Sequence, residues 1–404
     1  MKLNLDPGAA ALLDALHAAG YAAYAVGGCV RDSLLGRPAH DWDLCTSALP
    51  EQVVELFGAE NCIPTGLQHG TVTIKQDGRL YETTTFRTEG SYTDGRHPDK
   101  VQFVPDVCAD LARRDFTINA MAYNEREGLI DPFGGQSDLA NGLLRAVGEP
   151  ERRFEEDALR ILRLYRFAAR FEFAIEKETD RAAKALAQRL RCISAERIEE
   201  ELTKLLAAPQ PGAYLVPEVA AVILPELPPQ ALAAAKQVLD ACPAGEETRT
   251  VRLAALLERL DECEARKVLR RLRCSNACVE ETAMLLREQN LRVEQDLTLQ
   301  ARQLLRRYDL LALRRLCALR TAQDPANAPQ YAQLLECAEQ LERDGVCCRL
   351  AQLAVNGRDL MAAGISAGPE LRRTLDRLLD AVIREQLPNE KHALLAAAGQ
   401  FPTS

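Results

Sequence analysis

The chain has 404 residues, 47% of them hydrophobic, and a formal net charge of −9. That length suggests two to four domains at about 150 residues each, and the apolar share supplies substantial cores without marking disorder or low complexity. No run of about 18 uncharged apolar residues is present for a membrane span, and Asp6, Pro7 and Asp14 make the start a poor signal peptide, so a cytoplasmic protein is expected.

Thirteen cysteines, an odd count, occur with five histidines. No two cysteines have Cys-x-x-Cys spacing, which argues against a disulfide framework or a zinc site. The acidic balance does not announce a nucleic-acid partner. Any RNA contact therefore needs local basic surface. Three arginine-rich stretches offer it: Arg152 to Arg170; Arg266, Lys267, Arg270, Arg271 and Arg273; and Arg302, Arg306, Arg307, Arg314 and Arg315. Each would equally serve as a solvated helix face.

Strand signals concentrate in the first 145 residues or so. Leu12, Leu13 and Leu16 have helical spacing, with Gly20 as a stop. Tyr21 to Val26 reads as an apolar strand entering the loop Gly27-Gly28-Cys29-Val30-Arg31-Asp32. Asp41 to Thr46 reads as a second strand, and Pro50 opens a helix. Thr71 to Lys75 and Arg79 to Phe86 flank Asp77-Gly78, a hairpin signal. Val101 to Val104 is a further short strand. Beyond about residue 145, Leu/Ala/Arg/Glu stretches of helical periodicity continue to the end. The expected fold is therefore α+β: an N-terminal head with a mixed β-sheet, followed by an all-helical remainder.

The pair Asp41 and Asp43 carries the chemistry. On an extended strand, residues two apart project to one face, so both carboxylates would meet beside the glycine loop. Hard oxygen ligands of this kind suit magnesium, which usually takes a few carboxylates plus substrate phosphates. A paired-metal site activates an attacking hydroxyl and steadies the leaving oxygen at phosphorus. That is the outline of a nucleotidyltransferase. Gly28 lets backbone N–H groups approach phosphate, and Arg31 adds a planar fork. Trp42 would point away from the metals, into the core. Glu82 is a candidate third carboxylate, although an ordinary strand glutamate would read the same way. Arg113-Arg114-Asp115 can hold a triphosphate, or simply start a helix with surface charge.

Glu155 to Arg170 reads as one amphipathic helix. At about 100° per residue, Asp157 lies about 60° from Arg160 and about 180° from Arg166. Asp157 and Arg160 would then form one acceptor–donor unit for a nucleobase edge, or a surface ion pair. Arg166 suits a phosphate or structural role.

These pieces occur together and in order. Gly-Gly-Cys-Val-Arg-Asp through Asp-Trp-Asp is followed by Arg-Arg-Asp-Phe-Thr-Ile-Asn-Ala and by Asp131-Pro132-Phe133-Gly134-Gly135. Arg153-Phe154-Glu155-Glu156-Asp157-Ala158-Leu159-Arg160, Arg163 and Arg166 complete the set. The joint pattern resembles the class II tRNA nucleotidyltransferase/poly(A) polymerase family, and within it the bacterial CCA-adding branch. The resemblance implies a head (1–145), a neck that recognises the base (146–206), a body (207–325) and a tRNA-binding tail (326–404). It implies magnesium on Asp41 and Asp43, and nucleotide contacts from Gly28, Arg31 and Arg114. Asp157 and Arg160 would read CTP or ATP, supported by Arg163 and Arg166. The implied activity is template-independent CCA addition to the tRNA 3′ end, with CTP and ATP as substrates and pyrophosphate released. Tyr92 to Asp99 resembles a family loop that CC-only enzymes tend to lack. A poly(A) polymerase is the nearest alternative, but the chain closes on Gln400-Phe401-Pro402-Thr403-Ser404 without a basic arm. A CC-only enzyme and a non-catalytic RNA-binding protein stand further off. The oligomeric state is left open.

Overall fold

The computed structural model describes residues 2–89 and 101–400; the Tyr92–Asp99 loop lies outside the described residues. The chain forms two compact units, Met1–Pro229 with Arg271–Arg273, and Gln230–Arg270 with Cys274–Ser404. The first contains the sheet.

That sheet has seven strands, β1 (Ala23–Val26), β2 (Leu44–Thr46), β3 (Cys62–Gly66), β4 (Thr71–Gln76), β5 (Arg79–Thr85), and two further strands at Ala122–Asn124 and Gly128–Ile130. Their order is β3-β4-β5-β2-β1, then the last two in sequence. Only β2 and β5 pair in parallel within it; the other pairs are antiparallel, so the sheet is mixed as expected. Asp77 and Gly78 have φ of 50° and 78°, which is the backbone that a tight two-residue hairpin loop demands. The edge strand β3 carries Pro64 and was not anticipated. Its run Cys-Ile-Pro-Thr-Gly lacks an alternating apolar pattern, and proline suits an edge because it cannot donate to a ladder.

Helices α1 (Pro7–Ala18), α2 (Gly28–Leu34), α3 (Pro50–Phe57) and α4 (Val107–Ala112) accompany the sheet. Asp6 caps α1 by accepting from the Gly8 and Ala9 amides, and Leu12, Leu13 and Leu16 are buried, as their spacing predicts. On one sheet face Tyr24, Val26 and Cys45 pack with Phe86, Val107 and Leu111. This core covers part of that face and leaves the end at Asp43 open.

The Asp131–Gly135 segment is a structural lock. The Asp131 carboxylate accepts from the Gly135 and Gln136 amides at 2.7 and 2.8 Å. A Cβ on Gly135 would lie 2.2 Å from the Thr117 carbonyl oxygen. Gly135→Ala should therefore cost about 3 kcal/mol through backbone overpacking, read as a lower urea midpoint; a midpoint equal to wild type would refute the lock.

The helices that follow the sheet do not include the single helix expected over Glu155 to Arg170. α5 (Gly135–Ala140) is followed by α6 (Pro150–Glu156), a break at Asp157 and Ala158, and α7 (Leu159–Phe171). Asp157 is extended, with φ −143° and ψ 105°, and its carboxylate accepts from the Leu159 amide at 3.0 Å. Aspartate competes with helical hydrogen bonding in this way and favours helix starts. α8 (Lys177–Ala185) and α9 (Ala195–Leu206) follow α7.

The second unit is helical throughout its described residues. One of its cores gathers Leu353, Leu360, Leu378, Leu379, Ile383 and Leu394. Its arginine clusters are not bare basic faces. Arg266 pairs with Glu262 and Glu280, Arg306 with Asp376 and Asp380, Arg314 with Glu339, and Arg315 with Glu281. No helix among the described residues is long and apolar enough to cross a membrane.

Candidate active site

The carboxylates gather at the open end of the sheet. The strand expected over Asp41 to Thr46 begins only at Leu44, yet exposure alternates in the residues before it: Asp41 and Asp43 are exposed while Trp42 and Leu44 are buried at 8% and 1%. Trp42 therefore packs inward, and the two acids share the other side. The Val26 amide donates to the Asp43 carbonyl at 2.9 Å, which ties this segment to β1. Leu44 lies opposite Thr83 in β5, so one step back along both strands sets Asp43 beside Glu82. Although the residue keeps an open side to solvent, the protein packed around its carboxyl strips part of its hydration, and this, then Glu82 and Asp41, push Asp43 up to about 6, against the pull of Arg114. Three acids that repel one another in this way are a donor set that a hard divalent cation would relieve. Among the described residues no group of three or more His, Cys, Asp or Glu side chains is arranged to hold a metal ion, so any ion here would rest on one or two of these carboxylates. An open arrangement fits magnesium, which retains water and substrate oxygens as ligands.

Asp43 and Glu82 line a cleft of about 340 Å³ together with Arg87, Arg113, Arg114, Asp115, Asp157, Arg160, Arg163 and Arg197. The arginines are braced from below. Asp110, wholly buried, binds Arg113 at 2.8 Å and Arg114 at 3.5 Å. Burial alone would raise its pKa, but Arg113 and Arg114 hold it below the usual carboxylate value. The Arg114 Nε is buried with no hydrogen-bond partner among the described residues. Gly27, at φ +79°, makes room for this side chain: a Cβ there would lie 2.9 Å from Arg114 Nη1.

Asp115 does the same for α7. It accepts from Arg163 Nε at 2.9 Å and Asn119 Nδ2 at 3.1 Å. Its burial is outweighed by Arg163, Asn119 and Arg160, and its carboxyl stays well below the ordinary range.

Asp157 and Arg160 face the same cleft but do not pair with each other. Asp157 binds Arg197 Nη2 at 2.7 Å. Arg160 donates to Glu156 at 2.8 Å and to the carbonyls of Arg153 and Arg113 at 3.1 and 2.9 Å. The single-helix wheel placed Asp157 and Arg160 side by side as one unit, and the structure brings both to one cleft without that pairing. The helix breaks, and Arg197, from α9 and 40 residues away, is the partner of Asp157.

The other expected residues divide. Arg163 lines the cleft. Arg166 does not: it is buried over the Phe167 ring at 4.0 Å and pairs with Glu201 at 2.7 Å. Burial brings its pKa down to about 10 although Glu201 opposes the shift. Arg31 also lies outside the cleft lining. It is 4% exposed, binds Asn119 at 2.6 Å, and stacks on Phe167 and Phe171 at 5.3 and 4.8 Å. Its geometry is that of a clamp between α2 and α7, where direct phosphate contact was expected. Gly28 opens α2 beside it. Arg87 and Arg197 were missed, because neither stands in a local motif that announces the cleft.

Comparison with known proteins settles the family. A CCA-adding enzyme of Lactiplantibacillus plantarum is 39% identical over 396 residues, covering 95% of this chain and 93% of that protein. The chain belongs to the CCA-adding enzyme family. A CCA-adding enzyme of Streptococcus gordonii is 39% identical over 393 residues, with 95% of each covered. The Poly A polymerase head domain matches residues 23–145, a probable RNA and SrmB-binding site of polymerase A matches 172–217, and a putative tRNA nucleotidyltransferase domain 2 matches 246–398. Among solved structures, the Bacillus stearothermophilus CCA-adding enzyme in complex with CTP has a TM-score of 0.83 and 34% identity, with 98% of each chain covered. The Thermotoga maritima CCA-adding enzyme complexed with tRNA has a TM-score of 0.70 at 21% identity, a likeness of fold. The α+β head and helical remainder of this chain are thus the architecture of CCA-adding enzymes.

Proposed function

We propose that this protein adds C, C and A in turn to the 3′ end of tRNA, taking CMP from CTP and AMP from ATP without a nucleic-acid template. One observation carries the reading. Asp43 and Glu82, carboxylates suited to phosphoryl chemistry, and Asp157 and Arg160, suited to a base edge, open into one cleft, in a chain that belongs to the CCA-adding enzymes.

In each cycle the primer 3′-hydroxyl gives up its proton to water or a cleft carboxylate, its oxygen bonds to the α-phosphorus, the bond from that phosphorus to the α–β bridging oxygen breaks, and pyrophosphate leaves with the electron pair. Asp41 and Asp43, with Glu82 beside them, would hold magnesium, which when bound supplies Lewis acidity toward the hydroxyl and the triphosphate. Arg113 and Arg114 spread positive charge where the leaving phosphates gather, and fixed donors of this kind need no rearrangement as charge develops. Gly27 and Gly28 let that triphosphate approach the backbone. Asp157 accepts from the base, while Arg160, held on three sides, keeps Nε–H and one Nη2–H to donate. Arg163 flanks them, and Arg166 and Arg31 keep α7 in place from behind.

Residues 1–145 serve as head, 146–206 as neck, 207–325 as body and 326–404 as tail, with the body and tail gripping tRNA mainly through phosphate contacts that weaken with salt. All thirteen cysteines are free, which suits a reducing cytoplasm.

The deciding assay uses tRNA lacking its terminal CCA, with CTP, ATP and magnesium. Three added nucleotides are expected. A ladder of adenylates would instead mean a poly(A) polymerase, a stop after two cytidines a CC-only enzyme, and binding without incorporation a non-catalytic protein. Asp157→Ala should lower discrimination against GTP and UTP about tenfold or more, the worth of a base-edge contact. Full retention of nucleotide choice in that variant would remove the base-reading role.

A further inference from the structure

The sheet face that bears Glu82 continues beyond the cleft. Along β5, Tyr81, Thr83 and Thr85 are buried on one side, whereas Leu80, Glu82 and Thr84 face the other. The register carries this face outward. Glu82 lies opposite Thr73 and Leu80 opposite Lys75 in β4, and Thr73 lies opposite Ile63 in β3. Leu80 is 61% exposed and Ile63 46%; Lys75 is exposed as well. None of the three lines the cleft. Two bare aliphatic side chains and a cation therefore form a ledge on the reactive face of the sheet. Leu80 stands about 7 Å along the strand from Glu82, and Ile63 two strand spacings away, about 10 Å.

The order of the strands gives the ledge a direction. Arg114 abuts Gly27, which follows β1. Asp43 then precedes β2, Glu82 sits on β5, and Lys75 and Ile63 sit on β4 and β3. The acids thus lie between the cation that would hold the triphosphate and the exposed aliphatic strip. A displacement at phosphorus sets the attacking and leaving oxygens in line, on opposite sides. With the pyrophosphate drawn toward Arg114, the attacking hydroxyl arrives from the side of Leu80.

We propose that Leu80, Ile63 and Lys75 seat the 3′-terminal nucleotide of the RNA primer, the aliphatic carbons beneath its base or ribose and the lysine at its phosphate. This rests on the nucleotidyl-transfer reading above. A ledge without hydrogen-bonding groups suits a site that must accept a different terminal base at each addition, since apolar contact with a base face tolerates any sequence.

The test uses the full-length enzyme with tRNA lacking CCA. Leu80→Glu and Ile63→Glu put charge under the terminal nucleotide at exposed positions, so their unfolding midpoints serve only as a control. Each should lower kcat/KM for tRNA about tenfold and leave the KM for CTP within about twofold of wild type. Lys75→Ala should flatten the salt dependence of the same kcat/KM. A primer ending in photoreactive 4-thiouridine should crosslink within residues 62–67 or 79–82. An unchanged kcat/KM for tRNA in Leu80→Glu, an equal rise in the KM for CTP, or crosslinks found only elsewhere would overturn the ledge. Wild-type enzyme that adds CMP normally while Leu80→Glu is unimpaired discards this inference alone. Wild-type enzyme that adds nothing discards the nucleotidyl-transfer reading, and the ledge with it.

Discussion

Asp43→Ala is expected to stop nucleotide incorporation, with a loss in kcat of at least about 10³-fold, while the protein stays folded. The two halves of that outcome have one cause. In the free protein Asp43 is in an unfavourable electrostatic setting: lost hydration and the neighbouring Glu82 and Asp41 raise its carboxyl to about 6. Removing it takes away repulsion and breaks no buried ion pair, so the urea midpoint without metal should hold or rise. The benefit of the carboxylate appears only when a divalent ion and a triphosphate share the cleft. Titrating magnesium with CTP should therefore raise the unfolding midpoint of the wild type, by ordinary ligand linkage, and leave that of Asp43→Ala nearly flat. Asp41→Ala should behave in the same manner. A variant at Asp43 that still turned over CTP at a comparable rate would remove these acids from the chemistry.

This site shows what a linear pattern can and cannot carry. Asp41, Trp42 and Asp43 were legible because pleating is local: alternate side chains on an extended segment must part to opposite faces, and burial of Trp42 confirms it. The hairpin at Asp77-Gly78 was legible for the same reason, and it brings Glu82 to the face that Asp43 shares. The break at Asp157 was not. Apolar spacing on both sides favoured one continuous helix, and the carboxylate that terminates it does so with a hydrogen bond to Leu159 that no periodicity reveals. The pairing of Asp157 with Arg197 depends on α9 packing beside α7, a tertiary fact. Arg31 shows the converse error. A guanidinium next to a glycine loop suggests phosphate, yet Phe167 and Phe171, far along the chain, supply ring faces that claim it. The acidic partners of the arginines in the second unit were hidden likewise, because most come from other helices.

Asp115→Asn should reduce the unfolding free energy of the first unit by about 3 kcal/mol at pH 7, the low end for breaking a buried ion pair, because Arg163 keeps one edge in the water of the cleft. The amide preserves shape and one contact to Asn119, but it no longer balances Arg163, whose remaining ion-pair partner among the described residues is Glu201 at 3.9 Å. The sign of the pH dependence follows from the direction of the shift. Arg163, Asn119 and Arg160 depress the folded pKa of Asp115 below the value of about 3.9 for an unfolded aspartate. Its contribution is then complete above about pH 4 and is lost as pH falls toward the folded pKa, where the unfolded chain binds the extra proton first. Wild type and Asp115→Asn should differ most in urea melts at pH 7, and the gap should narrow below about pH 4. The substituted amide cannot titrate, so the variant's own acid limb should be shallower. Catalysis should suffer as well, since Arg163 and Arg160 both lean on this carboxylate, and the loss should appear as weakened nucleotide choice before it appears as a fall in metal affinity. Equal urea midpoints at pH 7 would show that the head and neck are held together by other contacts, chiefly the rings packed around Arg31 and Arg166.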